Sequence, residues 1–183
     1  MIDGNDSSKK KLTPKKAIFG CGAVEIRKGF DIFCEVASKL KERNRTDFMM
    51  YWIGSDINKD LIASQVIEKY KVSDVVKFLG TKDYPRDYFK NGDMFLLTSR
   101  EDPYPLVCME AAECDMPVIC FDEKAGGMHS FVEKDAGIVV TYLDISLYTN
   151  AVIKLLDDDD LRKNFGITAH KKVIDRHYVE VIA

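Results

Sequence analysis

AIFGCGAVEIRKGFDIFCEVASKLKERNRTDFMMYWIG, residues 17–54, is the stretch whose pattern decides the fold. It opens on an apolar run, AIFGCG, too short and too apolar to be a surface helix. A loop with three glycines, residues 20–29, follows. In the next segment, KGFDIFCEVASKLKER, Phe30, Phe33, Val36, Ala37 and Leu40 recur at helical spacing and make one stripe. Lysines and arginines crowd its end, where they complement the negative end of a helix dipole. A second apolar run, MMYWIG, closes the stretch. Strand, glycine loop, helix, strand is one β-α-β unit.

Working outward, the same alternation repeats. Four more apolar runs appear: VVKFLG, MFLLTS, PVICFD and GIVVTY. Their near-continuous hydrophobicity is that of strands buried on both faces, as in a parallel sheet. Helical segments lie between them: KDLIASQVIEKYKV before the third strand, then shorter ones around DYPRDYF, LVCMEAAE and MHSFVEK. Two more, ISLYTNAVIKLL and DDLRKNFGITAHKKVIDRHY, follow the last strand. The order predicts an α/β, doubly wound, Rossmann-like parallel sheet of about six strands with helices on both faces. The acidic run Asp157 to Asp160 between the last two helices reads as a solvated, capped helix start rather than a metal site.

Length and composition fit one soluble domain. The 183 residues are 46% hydrophobic and 10% aromatic, with a formal charge of −3, which points to neither disorder nor nucleic acid. Residues 1–16 are polar, lysine-bearing and aperiodic, and read as a linker, leaving 17–183 as the domain. Cys21, Cys34, Cys108, Cys114 and Cys120 are odd in number, lie in apolar stretches and lack metal-ligand spacing. They read as core thiols of a protein kept in a reducing, cytoplasmic compartment. No stretch approaches the roughly 20 apolar residues of a membrane span, and no signal-peptide core opens the chain.

In such sheets ligands bind beyond the carboxyl ends of the strands, so the loops there are the places to inspect. In the first, Gly22 and its neighbouring glycines allow close backbone approach, and Arg27 and Lys28 stand just before the helix, where both attract an anion. The spacing is that of neither a dinucleotide fingerprint nor a P-loop. After the fourth strand, SREDPYPLVCMEAA places Glu101 and Asp102 before a stiff Pro103-Tyr104-Pro105, then Leu106, with Glu110 one turn into the helix. Glu110 sits among Val107, Met109, Ala111 and Ala112, so it needs a hydrogen-bonding partner, either ligand hydroxyls or a nearby cation. The loop after the fifth strand offers Gly126 and Gly127, followed by His129.

The order and spacing of these motifs resemble the donor-binding C-terminal domain of retaining GT-B glycosyltransferases, group 1 or family 4. The family pattern is Ser-x-x-Glu-Gly-Phe-Gly-x-x-x-x-Glu-Ala. Aligned on Glu110-Ala111, its first acid falls on Asp102. Pro117-Val118-Ile119, Gly126-Gly127, Ala136-Gly137, Asp144 and the aspartate-rich turn before Leu161-Arg162 continue the match to the end. The resemblance implies that Lys28 contacts the donor diphosphate, that Asp102 faces the donor sugar and that Glu110 holds the ribose hydroxyls. The backbone from Pro103 to Leu106 would line the sugar and phosphate pocket, with Gly22, Arg27, Glu101, Gly126 and Gly127 beside it.

It further implies a nucleoside-diphosphate sugar as substrate, no separate cofactor, no protein-bound metal, and front-face attack in which the leaving phosphate accepts the proton. The partners implied are an N-terminal acceptor domain and a glycan or lipid-linked acceptor, with any membrane contact made through that other half at the inner face. Three positions depart from the pattern. The usual arginine is replaced at Gly22-Ala23, with Arg27 the candidate substitute; Gly-Phe-Gly has become Pro103-Tyr104-Pro105; and a glutamate is replaced by Ser130. Two other activities share the fold: a sugar-nucleotide epimerase and a non-catalytic nucleotide-sugar-binding module.

Overall fold

A computed structural model describes residues 15–177; most of the expected linker and residues 178–183 lie outside that range. Six strands form one parallel sheet: β1 (Lys16–Cys21), β2 (Phe48–Ile53), β3 (Val76–Phe78), β4 (Met94–Leu97), β5 (Val118–Phe121) and β6 (Gly137–Val140). Their order across the sheet is β3-β2-β1-β4-β5-β6. Because β4 returns to the far side of β1, the connections reverse direction between those two strands. A crevice opens at their carboxyl ends.

The helices are α1 (Phe30–Glu42), α2 (Leu61–Lys69), α3 (Pro85–Phe89), α4 (Leu106–Ala112), α5 (Met128–Val132), α6 (Ile145–Asp157) and α7 (Asp159–His177). Strand residues alternate between two cores, as the period of an extended chain requires. Ile18, Met50, Trp52, Leu96 and Ile119 pack under α1, α2 and α6. Phe19, Phe95, Leu97, Val118 and Cys120 pack under α3, α4, α5 and α7. All four residues of β4 and of β5 are buried, which is why both read as unbroken apolar runs.

Several boundaries differ from the sequence reading. β1 begins at Lys16, one residue early, because Lys16 already pairs with Phe48 of β2 and its amide donates to the Asp47 carbonyl at 2.8 Å. β3 contracts to three residues at the sheet edge, with Lys77 exposed. The first helix starts at Phe30 instead of Lys28. Gly29 takes φ 73°, a left-handed conformation, and a short 3-10 turn, Ile26–Lys28, precedes it. A side chain at Gly29 would place its Cβ 2.0 Å from the Thr98 carbonyl oxygen, so the turn lies directly against the end of β4.

The aspartate run does act as a helix start. Asp158 accepts from the Leu161 amide at 2.8 Å, and Asp159 pairs with buried Arg162 at 2.7 Å. Of the cysteines, Cys34, Cys108 and Cys120 are core residues as expected, while Cys21 and Cys114 are only partly buried. Cys21 is displaced from the core because it is the last residue of β1, at the mouth of the crevice. Among the described residues no helix is long and apolar enough to cross a membrane.

Candidate functional site

The crevice between β1 and β4 gathers the charged residues singled out in the sequence. After β1, the Gly22 amide donates to the Ile53 carbonyl at 2.9 Å and the Gly22 carbonyl accepts from Trp52 Nε1 at 2.8 Å. These two bonds fix the loop against β2. The 3-10 turn then carries Lys28 back across it, with the lysine stem lying on Gly22. Its ammonium reaches Asp102, 74 residues away in sequence, at 2.5 Å.

Asp102 is 7% exposed. Its carboxylate also accepts a long bond from the Ser99 hydroxyl at 3.4 Å. The backbone around it is pinned by the loop after β5: the Asp102 amide donates to the Ala125 carbonyl and the Gly127 amide to the Pro103 carbonyl, both at 2.7 Å. Gly126 has φ 142°, and a Cβ there would sit 1.9 Å from the Asp102 carbonyl oxygen. The glycine pair is therefore required by the close approach of two loops of this chain.

Arg100 went unnoticed in the sequence. It forms a bidentate pair with Asp31 in the first turn of α1, at 2.8 and 2.7 Å, and donates to the Ile26 carbonyl at 2.6 Å. Its own amide donates to the Arg27 carbonyl at 2.8 Å, and its carbonyl accepts from the Tyr142 hydroxyl at 3.2 Å. The turn bearing Lys28 and the loop bearing Asp102 are thus stitched together on both sides of the ion pair. The Arg100 guanidinium bonds Asp31 and holds that carboxyl below its usual range against the opposing effect of burial. No local spacing signals this residue, because each partner comes from another element.

Arg27 is turned toward Glu25, at 3.0 Å, and the Glu101 carbonyl, at 3.2 Å. The Glu101 side chain is exposed. Glu110 is half-buried on α4 and makes no hydrogen bond or ion pair among the described residues. Its field is felt at the Cys21 thiol, which is pushed up to about 11, first by burial and then by Glu110, with Lys28 opposing. Cys21 thus lies within reach of both charges. Leu106 is 75% exposed and Tyr104 38%, so the rim of the crevice on this side is apolar. Neither Pro105 before α4 nor Gly127 before α5 provides a side-chain cap. His129 Nδ1 lies 2.9 Å from the Gly126 carbonyl, which ties the imidazole to the glycine loop.

A broader concavity of about 920 Å³ lies elsewhere, at the β3 edge, lined by Lys41, Ser64, Ile67, Lys71 and Phe78 among others. Two of its lysines are engaged by their own surroundings: Lys41 pairs with Asp74, and Lys77 donates to the Ser73 carbonyl. The β1–β4 crevice is the better candidate, since an ion pair and a carboxylate without a side-chain partner among the described residues converge there.

A family model for glycosyl transferases group 1 matches residues 3–172. The chain belongs to this family. It is 29% identical over 119 residues to the N-acetyl-alpha-D-glucosaminyl L-malate synthase of Bacillus anthracis, covering 64% of this chain and 31% of that protein. With the poly(ribitol-phosphate) alpha-N-acetylglucosaminyltransferase of Staphylococcus aureus it shares 27% over 156 residues, 85% of this chain and 31% of the relative. The chain spans about a third of the length of these curated relatives.

Solved structures agree on the fold of this glycosyltransferase chain. The C-terminal domain of a glycosyl transferase group 1 family protein from Francisella tularensis has a TM-score of 0.74 at 21% identity, covering 89% of this chain and 87% of that one. HepE from Anabaena, solved in complex with UDP, has a TM-score of 0.79 at 19% identity, covering 90% of this chain and 45% of that one.

Proposed function

We propose that the crevice binds the nucleoside-diphosphate sugar of a retaining transfer to a hydroxyl acceptor, and that this chain is the donor half of the enzyme. One observation carries the reading: Lys28, from the turn after β1, and Asp102 and Glu110, from the loop and helix after β4, converge on the crevice where the strand order reverses. An ammonium opposes the charge of a diphosphate. The Glu110 carboxylate, without a partner among the described residues and on a helix with buried neighbours, suits the vicinal hydroxyls of a ribose. The second carboxylate, beside the ammonium, suits the sugar. During transfer the lysine would stabilise charge on the departing diphosphate, whose own oxygen takes the acceptor proton. The free cysteines fit a reducing compartment, which we take to be the cytoplasm.

The reading is tested by calorimetry with UDP, GDP and their sugars. Lys28→Ala is expected to weaken the nucleoside diphosphate by about 1.5–3 kcal/mol, the range for hydrogen bonds to charged groups, and the bare nucleoside hardly at all. Equal losses for the two ligands would remove Lys28 from the phosphate site. Glu110→Gln is expected to weaken ribose-containing ligands by about 1.5–3 kcal/mol and to leave 2′,3′-dideoxy ligands unaffected. If the dideoxy ligands lose as much, Glu110 belongs to the scaffold.

A further inference from the structure

Lys28 has a partner within the protein itself, the Asp102 carboxylate at 2.5 Å. Its ammonium and the Asp102 carboxylate retain only 21% and 10% side-chain exposure, and the remaining side-chain bond to that carboxylate, from Ser99, is long. The nearest arginines offer no replacement, since Glu25 holds Arg27 and Asp31 holds Arg100. A phosphate that draws Lys28 away therefore leaves a nearly buried carboxylate without its counter-ion, which is a costly state. The two ligands of the proposed reaction differ here. A nucleoside-diphosphate sugar brings sugar hydroxyls that can replace the ammonium at Asp102. The nucleoside diphosphate left after transfer has lost that sugar, and its ribose hydroxyls are the ones assigned to Glu110.

We infer that Asp102 is a selectivity residue, an internal anion that competes with the diphosphate for Lys28 and so favours the sugar-bearing donor over the bare nucleoside diphosphate. The inference rests on the reading that Lys28 meets the diphosphate. It deepens that reading by assigning the ion pair a role after the chemistry. Once the sugar has left with the acceptor, Asp102 reclaims Lys28, and the product loses its cation. The same carboxylate that orients the donor thereby limits inhibition by the product.

The test is calorimetry on the whole 183-residue chain with UDP and UDP-glucose, and with GDP and GDP-mannose, using whichever pair raises the melting temperature more. The wild type is expected to bind the sugar nucleotide more tightly than its nucleoside diphosphate. Asp102→Asn removes the competing charge at constant size. It should tighten the bare diphosphate by about tenfold, while the sugar nucleotide gains nothing, so the preference collapses. Asp102→Glu keeps the charge and should keep the preference. Circular dichroism melts of both variants check that they fold.

If Lys28→Ala weakens the bare diphosphate but Asp102→Asn does not tighten it, the selectivity role is overturned and the donor reading stands. If Lys28→Ala leaves the diphosphate unchanged, the reading of Lys28 fails and the inference goes with it. Absence of binding by either pair would overturn both.

Discussion

The 183-residue chain, purified alone, is expected to bind a nucleotide sugar and to transfer that sugar to no acceptor. It covers 31% of each of two curated relatives, and it matches the C-terminal domain of a group 1 protein over 87% of that domain. The proposed ligand groups, Lys28, Asp102 and Glu110, are all assigned to the donor. Catalysis by positioning holds both reactants in near-attack geometry, which can account for roughly 7–11 kcal/mol of a barrier. A surface that grips only one reactant forgoes that term. Water entering the crevice would also weaken the stabilisation proposed for Lys28 on a departing diphosphate.

Release of nucleoside diphosphate, followed in a coupled assay over a panel of glycan and lipid-linked acceptors, should therefore stay at background. Activity is expected when the chain is preceded by an acceptor-binding domain in the same polypeptide. Sustained turnover by residues 1–183 alone would overturn the half-enzyme reading and place an acceptor site within these loops.

The second large effect concerns Trp52, the chain's single tryptophan, which is 1% exposed. Its ring lies 5.1 Å, centroid to centroid, from both Phe30 and Phe33, joining β2 to the start of α1. Gly20 leaves room for it, since a Cβ there would come within 2.6 Å of the indole. Trp52→Ala should destabilise the fold by about 3–5 kcal/mol, the range for emptying an aromatic core position. That is a large part of the roughly 5–15 kcal/mol that holds a domain together. The variant is also expected to bind diphosphate more weakly, because Trp52 Nε1 holds the Gly22 carbonyl beneath the stem of Lys28.

Urea unfolding followed by circular dichroism measures the first effect, and calorimetry with UDP the second. Trp52→Phe separates the two, since it keeps most of the packing while leaving the Gly22 carbonyl without its donor. A Trp52→Ala midpoint within about 1 kcal/mol of wild type would show that the cavity collapses at little cost, against the usual behaviour of core sites.

The sequence by itself determined the layered fold and the number of strands. The apolar runs such as MFLLTS and PVICFD and the stripe Phe30, Phe33, Val36, Ala37, Leu40 are local periodicities, and a buried strand or an amphipathic helix imposes them on the chain wherever it sits. Lys28, Asp102 and Glu110 were legible as candidates because each stands in a loop beyond a strand or one turn into the helix that follows. Their relations were not. That Lys28 and Asp102 are partners follows from β4 docking beside β1, a choice made by packing across the sheet. The clamp of Arg100 on Asp31 follows from the same docking, and the reason for Gly126 follows from β5 pairing with β4. Short-range pattern records what each segment buries, whereas long-range pairing forms only when all six strands are in place. Tertiary structure therefore decided which charges meet in the crevice and which neutralise one another outside it.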